Sequence, residues 1–411
     1  MRTKDFINTI LVGCMFVACS QDDSSVSIDN SMATSHRISV EQAKLNAIDF
    51  ASKVNSKTRS GRVFEVDNVQ AISLSASSTR SISDSINLDT LLYIVNFADS
   101  AGFVIAGSDD RENSIYAYIE EGNYSWEDFD THNSGFAAFL YALLESKSYK
   151  GKSYFEEHQN EYEGHGGGGG GNYKPSKFEV MRPLLVTKWS QRDPFNTYCP
   201  NGITGCAVTA VSQICSFLEK PINVQWSYNN TNGSATMNWG MIKTECIGTG
   251  GTPTNSAIQV AHLMRSLGLA FGAEYESGGT GVDSDDAIEY MQNVGYNVSD
   301  LDDYDVNNVV NNLKCGNKIV YMNGYARYYH VGFFIRKYVD GHAWVVDGYI
   351  DEVKNNKQSY YLHCNWGWGG TKNGYFLNNV FNAEQNPPYN DNAQTRGNYQ
   401  YNLETAIFTK Q

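Results

Sequence analysis

The sequence predicts an α+β protein in two domains: a smaller mixed unit, then a larger one combining a helical subdomain with an antiparallel β-subdomain. Three observations lead there. The chain has 411 residues, more than one hydrophobic core usually spans. Gly164-His165 and the glycine run from Gly166 to Gly171 interrupt it. Helix-period and strand-period patterns occur on both sides of that run.

The first element is an export signal. Arg2 and Lys4 form a short basic region, and Phe6 to Ala18 is apolar but too short to remain as a membrane span. Residues 1–18 are therefore expected to be removed, and 19–35 to form a polar tether. Ala18-Cys19 followed by Ser20, Gln21, Asp22 and Asp23 resembles the bacterial lipoprotein cleavage box, which implies a lipid on Cys19. An ordinary secretory signal is the alternative. A lipid would be the protein's membrane contact, each buried methylene contributing about 0.8 kcal/mol.

Residues 36–150 are expected to form the smaller domain. Ser39 with Gln42 has the spacing of a capping box. Behind it, Val40, Ala43, Ala47, Ile48, Ala51 and Val54 recur at helical period. Leu91 to Phe97 and Phe103 to Ala106 flank a turn with Asp99, Ser100 and Gly102, a hairpin pattern. Ala137 to Leu144 reads as a second helix. Residues 151–172, holding the glycines, read as a flexible linker open to proteolysis. The Lys-Ser/Thr pair of a phosphate-binding loop is missing from it.

Composition narrows the partners. With 41% hydrophobic and 18% charged residues the chain is expected to fold. Its 27 Tyr and 7 Trp against 8 Pro favour β-rich structure around buried aromatics. A formal net charge of -14 argues against nucleic acid as a partner. Of eight cysteines, Cys14 leaves with the signal and Cys19 is the expected anchor. A nucleophile among the remaining six leaves an odd number, so no disulfide framework is indicated, although one bridge at Cys199 or Cys246 stays open. No CxxC pair exists, and neither a metal site nor a cofactor is expected.

The chemistry concentrates in 173–411. Thr204-Gly205-Cys206-Ala207 opens a helical pattern that Pro221 stops, with Ala207, Ala210, Val211, Ile214 and Leu218 on its buried face. Cys206 at the first turn meets the positive end of the helix. That field favours a thiolate by only about 0.3–1 kcal/mol, so a partner imidazolium is needed. His342 is the candidate, within Gly341-His342-Ala343 at the mouth of an apolar strand. It follows Cys206 by 136 residues, a separation within the range for a papain-type Cys and His. Tyr360 to Asn365 reads as another strand, ending in Trp366-Gly367-Trp368-Gly369-Gly370.

Gly205-Cys206-Ala207, Gly341-His342-Ala343 and the hexapeptide Asn365–Gly370 resemble the motifs of the streptopain family of papain-like cysteine peptidases. In the first domain, Gly102-Phe103-Val104-Ile105 and Ser108-Asp109-Asp110-Arg111 are similar to the family's propeptide pattern. The resemblance implies a zymogen whose propeptide inhibits a papain-like endopeptidase acting on proteins or peptides, with a separate protein inhibitor also conceivable. Cys206 would attack the peptide carbonyl, while His342 would hold the thiolate as an ion pair and protonate the leaving amine. Gln191, in Trp189-Ser190-Gln191, would join the Cys206 N–H on the oxyanion. The backbone carbonyl of Trp366 would orient His342, with the Asn365 side chain as the rival. Trp368 would shield the pair. Gly278, Gly279 and Thr280 match the position of a substrate-binding loop, and the Gly341 backbone would pair with bound peptide. A bulky apolar side chain is expected at the second position before the cut.

Other polar residues have plainer readings. Asp347 reads as a turn or strand-end residue. His363 and Cys364, adjacent on a strand, point to opposite faces and are expected to be structural. His262 falls in a helical pattern. Two rival functions remain: a surface-binding lipoprotein that retains an inactive protease fold, and another papain-fold chemistry such as amide transfer or cell-wall peptide hydrolysis.

Overall fold

A computed structural model describes residues 36–58, 62–73, 90–126, 134–149, 152–153, 175–228, 231–246, 254–331, 335–378 and 401–411. The expected signal peptide 1–18, the tether 19–35 with Cys19, and the glycine run lie outside the described residues. The chain divides into two compact units between Ser176 and Lys177; segment 353–357 groups with the first.

In the first unit, helix α1 (Val40–Thr58) begins after Ser39, whose Oγ accepts from Gln42 N at 3.2 Å. Only half of the capping box forms, because the Gln42 side chain donates to Asn46 instead. Ala43, Ala47, Ala51 and Val54 are buried as the periodicity requires, and Phe50 joins them. Four antiparallel strands, β1 (Val66–Ser73), β2 (Thr90–Phe97), β3 (Phe103–Gly107) and β4 (Ile115–Ile119), follow in sheet order. Every residue of β2, β3 and β4 is buried, which explains why they read as continuous apolar runs rather than alternating ones. The Ser108–Arg111 motif ties the end of β3 to the start of β2. Ser108 Oγ reaches the carbonyls of Thr90 and Leu91, and buried Asp109 receives both Nε and Nη2 of Arg111 at 2.8 and 2.7 Å. Helix α2 (Ser134–Lys147) ends on Lys147, whose ammonium is buried against Glu112.

The second unit begins with β5 (Lys177–Met181) and then α3 (Cys206–Leu218), a hairpin of β6 (Asn223–Tyr228) and β7 (Thr231–Thr236), α4 (Trp239–Glu245) and α5 (Asn255–Ala270). A short hairpin follows, β8 (Glu274–Glu276) with β9 (Gly279–Gly281), then α6 (Ser284–Asn293), the two-residue β10 (Asp302–Asp303) and α7 (Val306–Leu313). The sheet consists of β11 (Lys318–Val331), β12 (Ile335–Lys354), β13 (Lys357–Asn365), β14 (Gly374–Leu377) and β15 (Tyr401–Thr409). Its order is β14-β13-β12-β11-β15-β10, and β5 pairs with β12. An α+β architecture results, with helices grouped beside a largely antiparallel sheet.

The core joins α3 and α5 to the sheet through Val208, Val211, Ile214, Val260, Met264, Tyr321 and Val345. Helix α3 is buried on nearly every side, not on one face only. Three of its polar residues are paired, Thr209 with Thr204 and the Gly205 carbonyl, Gln213 with Asn365, and Ser216 with Thr187, whereas the buried Ser212 hydroxyl has no partner among the described residues. The helix stops at Glu219, which adopts a left-handed conformation (φ 57°) just before Lys220-Pro221.

Three sequence expectations change. His342 lies within β12, not at its mouth, opposite Gly324 of β11; strand pairing continues well upstream of the apolar run. Asp347 is likewise inside β12 and fully buried. It accepts from Leu185 N at 2.9 Å and pairs with His363 Nδ1 at 2.6 Å, so it fastens the segment after β5 to the sheet. Residues 277–281 form a hairpin rather than an open loop, since Gly279–Gly281 pair with Glu274–Glu276. The six described cysteines, including Cys199 and Cys246, are all free thiols.

Candidate active site

Gly205 caps α3 with φ +97° and ψ 145°, a conformation that favours glycine. A side chain there would also meet Thr280 at 3.2 Å. This turn delivers Cys206 to the first helical position, where it keeps partial solvent access. Burial pushes its thiol pKa up, and the N–H groups of Ala343, Ala207 and Cys206 itself pull it back. The first of these donors is the residue after His342, so Cys206 and the β12 segment carrying His342 are adjacent.

The His342 ring is buried and stacks beside Trp344 and Trp366, with centroids 5.9 and 6.3 Å away. Nε2 lies 3.0 Å from the carbonyl of Trp366. A carbonyl only accepts, so Nε2 carries the hydrogen and Nδ1 is the basic nitrogen of the neutral ring. Burial lowers His342 to about 4, and the Trp366 hydrogen bond opposes that shift. Neither charge is favoured alone, so the ion pair expected from the sequence depends on the two charges facing each other. Desolvation disfavours each charge separately.

Asn365 does not hold the histidine. Its amide donates to Thr187 O at 2.9 Å and exchanges hydrogen bonds with Gln213, while its Oδ1 also accepts from Gly367 N. Gly367, at φ +73°, brings the turn to within 3.2 Å of Thr209 on α3, measured from an ideal Cβ. Trp366 is fully buried, its N held by Asn373 and its Nε1 donating to Lys372 O. Trp368 bridges to Ser190, and Gly369 N donates to Trp189 O at 3.1 Å. These contacts bring the Trp189–Gln191 segment against the hexapeptide. Gln191 is buried, and its backbone carbonyl accepts from Thr204 N at 3.2 Å, two residues before Cys206.

The hairpin bearing Gly278, Gly279 and Thr280 reaches the same place. Thr280 packs on Gly205, and Asn201 bonds the hairpin to the chain ahead of Cys206. Gly341 is exposed, and Tyr325 lies so close that a Cβ would fall 2.9 Å from its ring. The sequence reading missed Asn201 and Gln213. Gln213 was detectable in principle, because Cys206, Thr209 and Gln213 follow i, i+3, i+7 spacing and share a helix face. Asn201 had only the weak signal of an Asn-Gly turn. His262 is sandwiched between Trp226 and Tyr198, with ring centroids at 3.7 and 4.1 Å. Among the described residues no cluster of His, Cys, Asp or Glu could hold a metal ion.

A thiol at a helix N-terminus, beside a histidine oriented by a backbone carbonyl and joined to an antiparallel sheet, defines a papain-like cysteine peptidase. Residues 189–376 match the peptidase C10 family, and residues 35–146 match the Spi protease inhibitor family. The chain is 24% identical over 334 residues to streptopain of Streptococcus pyogenes, covering 71% of this chain and 74% of that protein. It is 22% identical over 337 residues to the thiol protease/hemagglutinin PrtT of Porphyromonas gingivalis, covering 72% of this chain and 34% of the relative. A solved fragment of Prevotella intermedia prointerpain A shares the fold, with a TM-score of 0.51 and 19% identity, over 84% of this chain and 98% of the fragment. Residues 189–376 are thus similar to cysteine peptidases of the C10, or streptopain, family, and they follow a region similar to a protease inhibitor.

Proposed function

We propose that this protein is an exported endopeptidase zymogen in which Cys206 is the nucleophile and His342 the general base and acid. The observation that carries the assignment is the 3.0 Å bond from His342 Nε2 to the Trp366 carbonyl. It leaves Nδ1 to take the thiol proton. The resulting thiolate attacks the scissile carbonyl carbon, and the oxygen gains the charge. The Cys206 N–H and the Gln191 side-chain amide receive that oxyanion, and loss of one such donor typically costs about 10²–10³ in kcat. His342 then protonates the departing amine, and water attacking through the same nitrogen hydrolyses the thioester. Trp366 orients the base through its backbone, and Trp368 covers the pair from water.

Substrate is a protein or peptide lying along Gly278, Gly279 and Thr280 on one side and the Gly341 backbone on the other. Extended peptide pairs with such exposed backbone edges. The family resemblance supports a bulky apolar side chain at the second position before the cut. Residues 36–150 act as the inhibitory propeptide, and cleavage within 151–172 releases the enzyme. The N-terminal sequence supports export and a lipid on Cys19.

Purified full-length chain is incubated and its size followed, with wild-type and Cys206→Ala compared. The wild type is expected to shorten and then to react with a peptidyl epoxide directed at thiol proteases. Shortening of the Cys206→Ala chain at the wild-type rate would remove self-processing by this site. Absence of epoxide labelling after propeptide removal would favour the binding lipoprotein, and labelling without proteolysis would favour another papain-fold chemistry.

A further inference from the structure

We propose that Asn201 is a positioning residue for substrate binding. It fixes the hairpin β8–β9, and with it the Gly278–Gly279 backbone edge, against the turn that presents Cys206. The inference rests on the assignment of Cys206 and of that edge under Proposed function, and it goes beyond them in naming what holds the edge in place.

The geometry is specific. Asn201 Nδ2 lies 2.8 Å from Glu276 O, 2.9 Å from Gly279 O and 2.9 Å from Thr280 Oγ1, so one amide group contacts both strands of the hairpin. Its Oδ1 accepts from Ile203 N at 3.0 Å, which curls the chain toward Gly205-Cys206. Thr280 completes the clasp by donating from Oγ1 to Ile203 O at 2.7 Å. The hairpin and the chain ahead of the nucleophile are thus joined twice through polar atoms, and once more where Thr280 packs on Gly205.

Tyr275, the cross-strand partner of Thr280, is held independently. Tyr275 lies over the Arg265 guanidinium of α5 at 4.6 Å, and its hydroxyl fills the space beside Gly268 that a side chain would occupy. At the turn beyond these anchors, no described atom lies within 4 Å of an ideal Cβ at Gly278 or Gly279. The turn is open to a ligand while the strands behind it are fixed. A two-stranded hairpin three residues long has little stability of its own, so its position depends on these attachments. Loosening Asn201 would cost substrate affinity before it cost chemistry.

The test compares Asn201→Ala, Asn201→Asp and Thr280→Val in the full chain, processed with a trace of wild-type enzyme. Asp keeps an acceptor for Ile203 N but cannot donate to Glu276 O and Gly279 O. Both Asn201 variants are expected to raise KM for an extended peptide about tenfold with kcat within a factor of about two. The peptidyl epoxide should react about tenfold more slowly, while the rate and pH profile of iodoacetamide on Cys206 stay unchanged. Thr280→Val should shift KM in the same direction and be non-additive with Asn201→Ala.

Wild-type KM in Asn201→Asp together with a defect in Asn201→Ala would overturn the proposal, because the local turn alone would then matter. A fall in kcat and in iodoacetamide reactivity at constant KM would also overturn it. Wild-type hydrolysis by Cys206→Ala would instead sink the underlying site assignment, whatever the Asn201 variants do. If Asn201→Ala fails to fold, Asn201→Asp and Thr280→Val decide the matter, and wild-type KM in both counts against the proposal.

Discussion

Gln213 and Asn365 exchange two amide hydrogen bonds, 3.1 Å from Gln213 Nε2 to Asn365 Oδ1 and 3.2 Å in return. Gln213 Oε1 also accepts from Trp189 N at 3.0 Å. One buried side chain two turns along the Cys206 helix therefore connects that helix, the strand end that carries Trp366, and the segment that leads to Gln191.

Because that amide is fully buried, Gln213→Ala removes the acceptor of Trp189 N and one donor and one acceptor of the Asn365 amide, which keeps Thr187 O and Gly367 N. Each lost partner costs about 1–3 kcal/mol. The expected result is a stability loss of about 2–5 kcal/mol with a fall in kcat. Asn365→Ala in the Gln213→Ala background should cost less than it does alone. Urea unfolding of the two single variants and the double variant measures this, and strict additivity would contradict a reciprocal pair.

In the unprocessed chain the Cys206 thiol is held up by burial, against three backbone donors. Its alkylation by iodoacetamide should therefore rise with an apparent pKa above 9, the ordinary thiol value. Processed enzyme should show an additional reactive form at lower pH if the ion pair forms on activation. A reactive plateau near pH 6 in the intact precursor would contradict a thiol held up by burial.

His342 predicts an acid sensitivity. Its folded pKa of about 4 lies below the unfolded value of 6.5, so between these the unfolded chain binds the extra proton. The contribution is complete above pH 6.5 and is lost as pH falls toward 4, at most about 3 kcal/mol. Denaturant midpoints in a Cys206→Ala background should fall less between pH 7 and 4 when His342→Gln is added. An unchanged pH slope would show that His342 is not buried neutral.

In the first unit, Lys147 and Glu112 are buried together, their side chains 4% and 6% exposed. Burial drives the Lys147 pKa down, with Asp109 opposing. Tyr116 OH donates to the same Glu112 oxygen at 2.5 Å. Lys147→Met alone should destabilise the unit by about 3–5 kcal/mol, since it leaves a carboxylate buried without its cation, whereas Lys147→Met with Glu112→Gln should recover most of that loss. Unfolding of the two variants tests the pairing. Faster loss of the N-terminal region in the single variant would follow if this unit restrains the enzyme.

Local pattern was enough to locate much of this protein. The stripe behind Ser39, the Leu91–Ala106 hairpin and the helix opening at Cys206 depend on neighbours a few residues apart, and periodicity records such contacts directly. The 136-residue separation and the flanking glycines were enough to pair Cys206 with His342 as candidates. Tertiary structure decided the rest, because those choices depend on which group arrives across the fold. Trp366 and Asn365 are adjacent in sequence, and only the approach of Gln213 and Thr187 draws the Asn365 amide away and leaves the Trp366 carbonyl to His342. Asp347 looked like a strand end until His363 and Leu185 N enclosed it. Asn201 could not be singled out at all, since its partners on the hairpin lie more than seventy residues away. The charge state of the pair also belongs to the fold: a helix terminus and a histidine can be read from sequence, but the burial that lowers His342 and raises Cys206 exists only once the chain has packed around them.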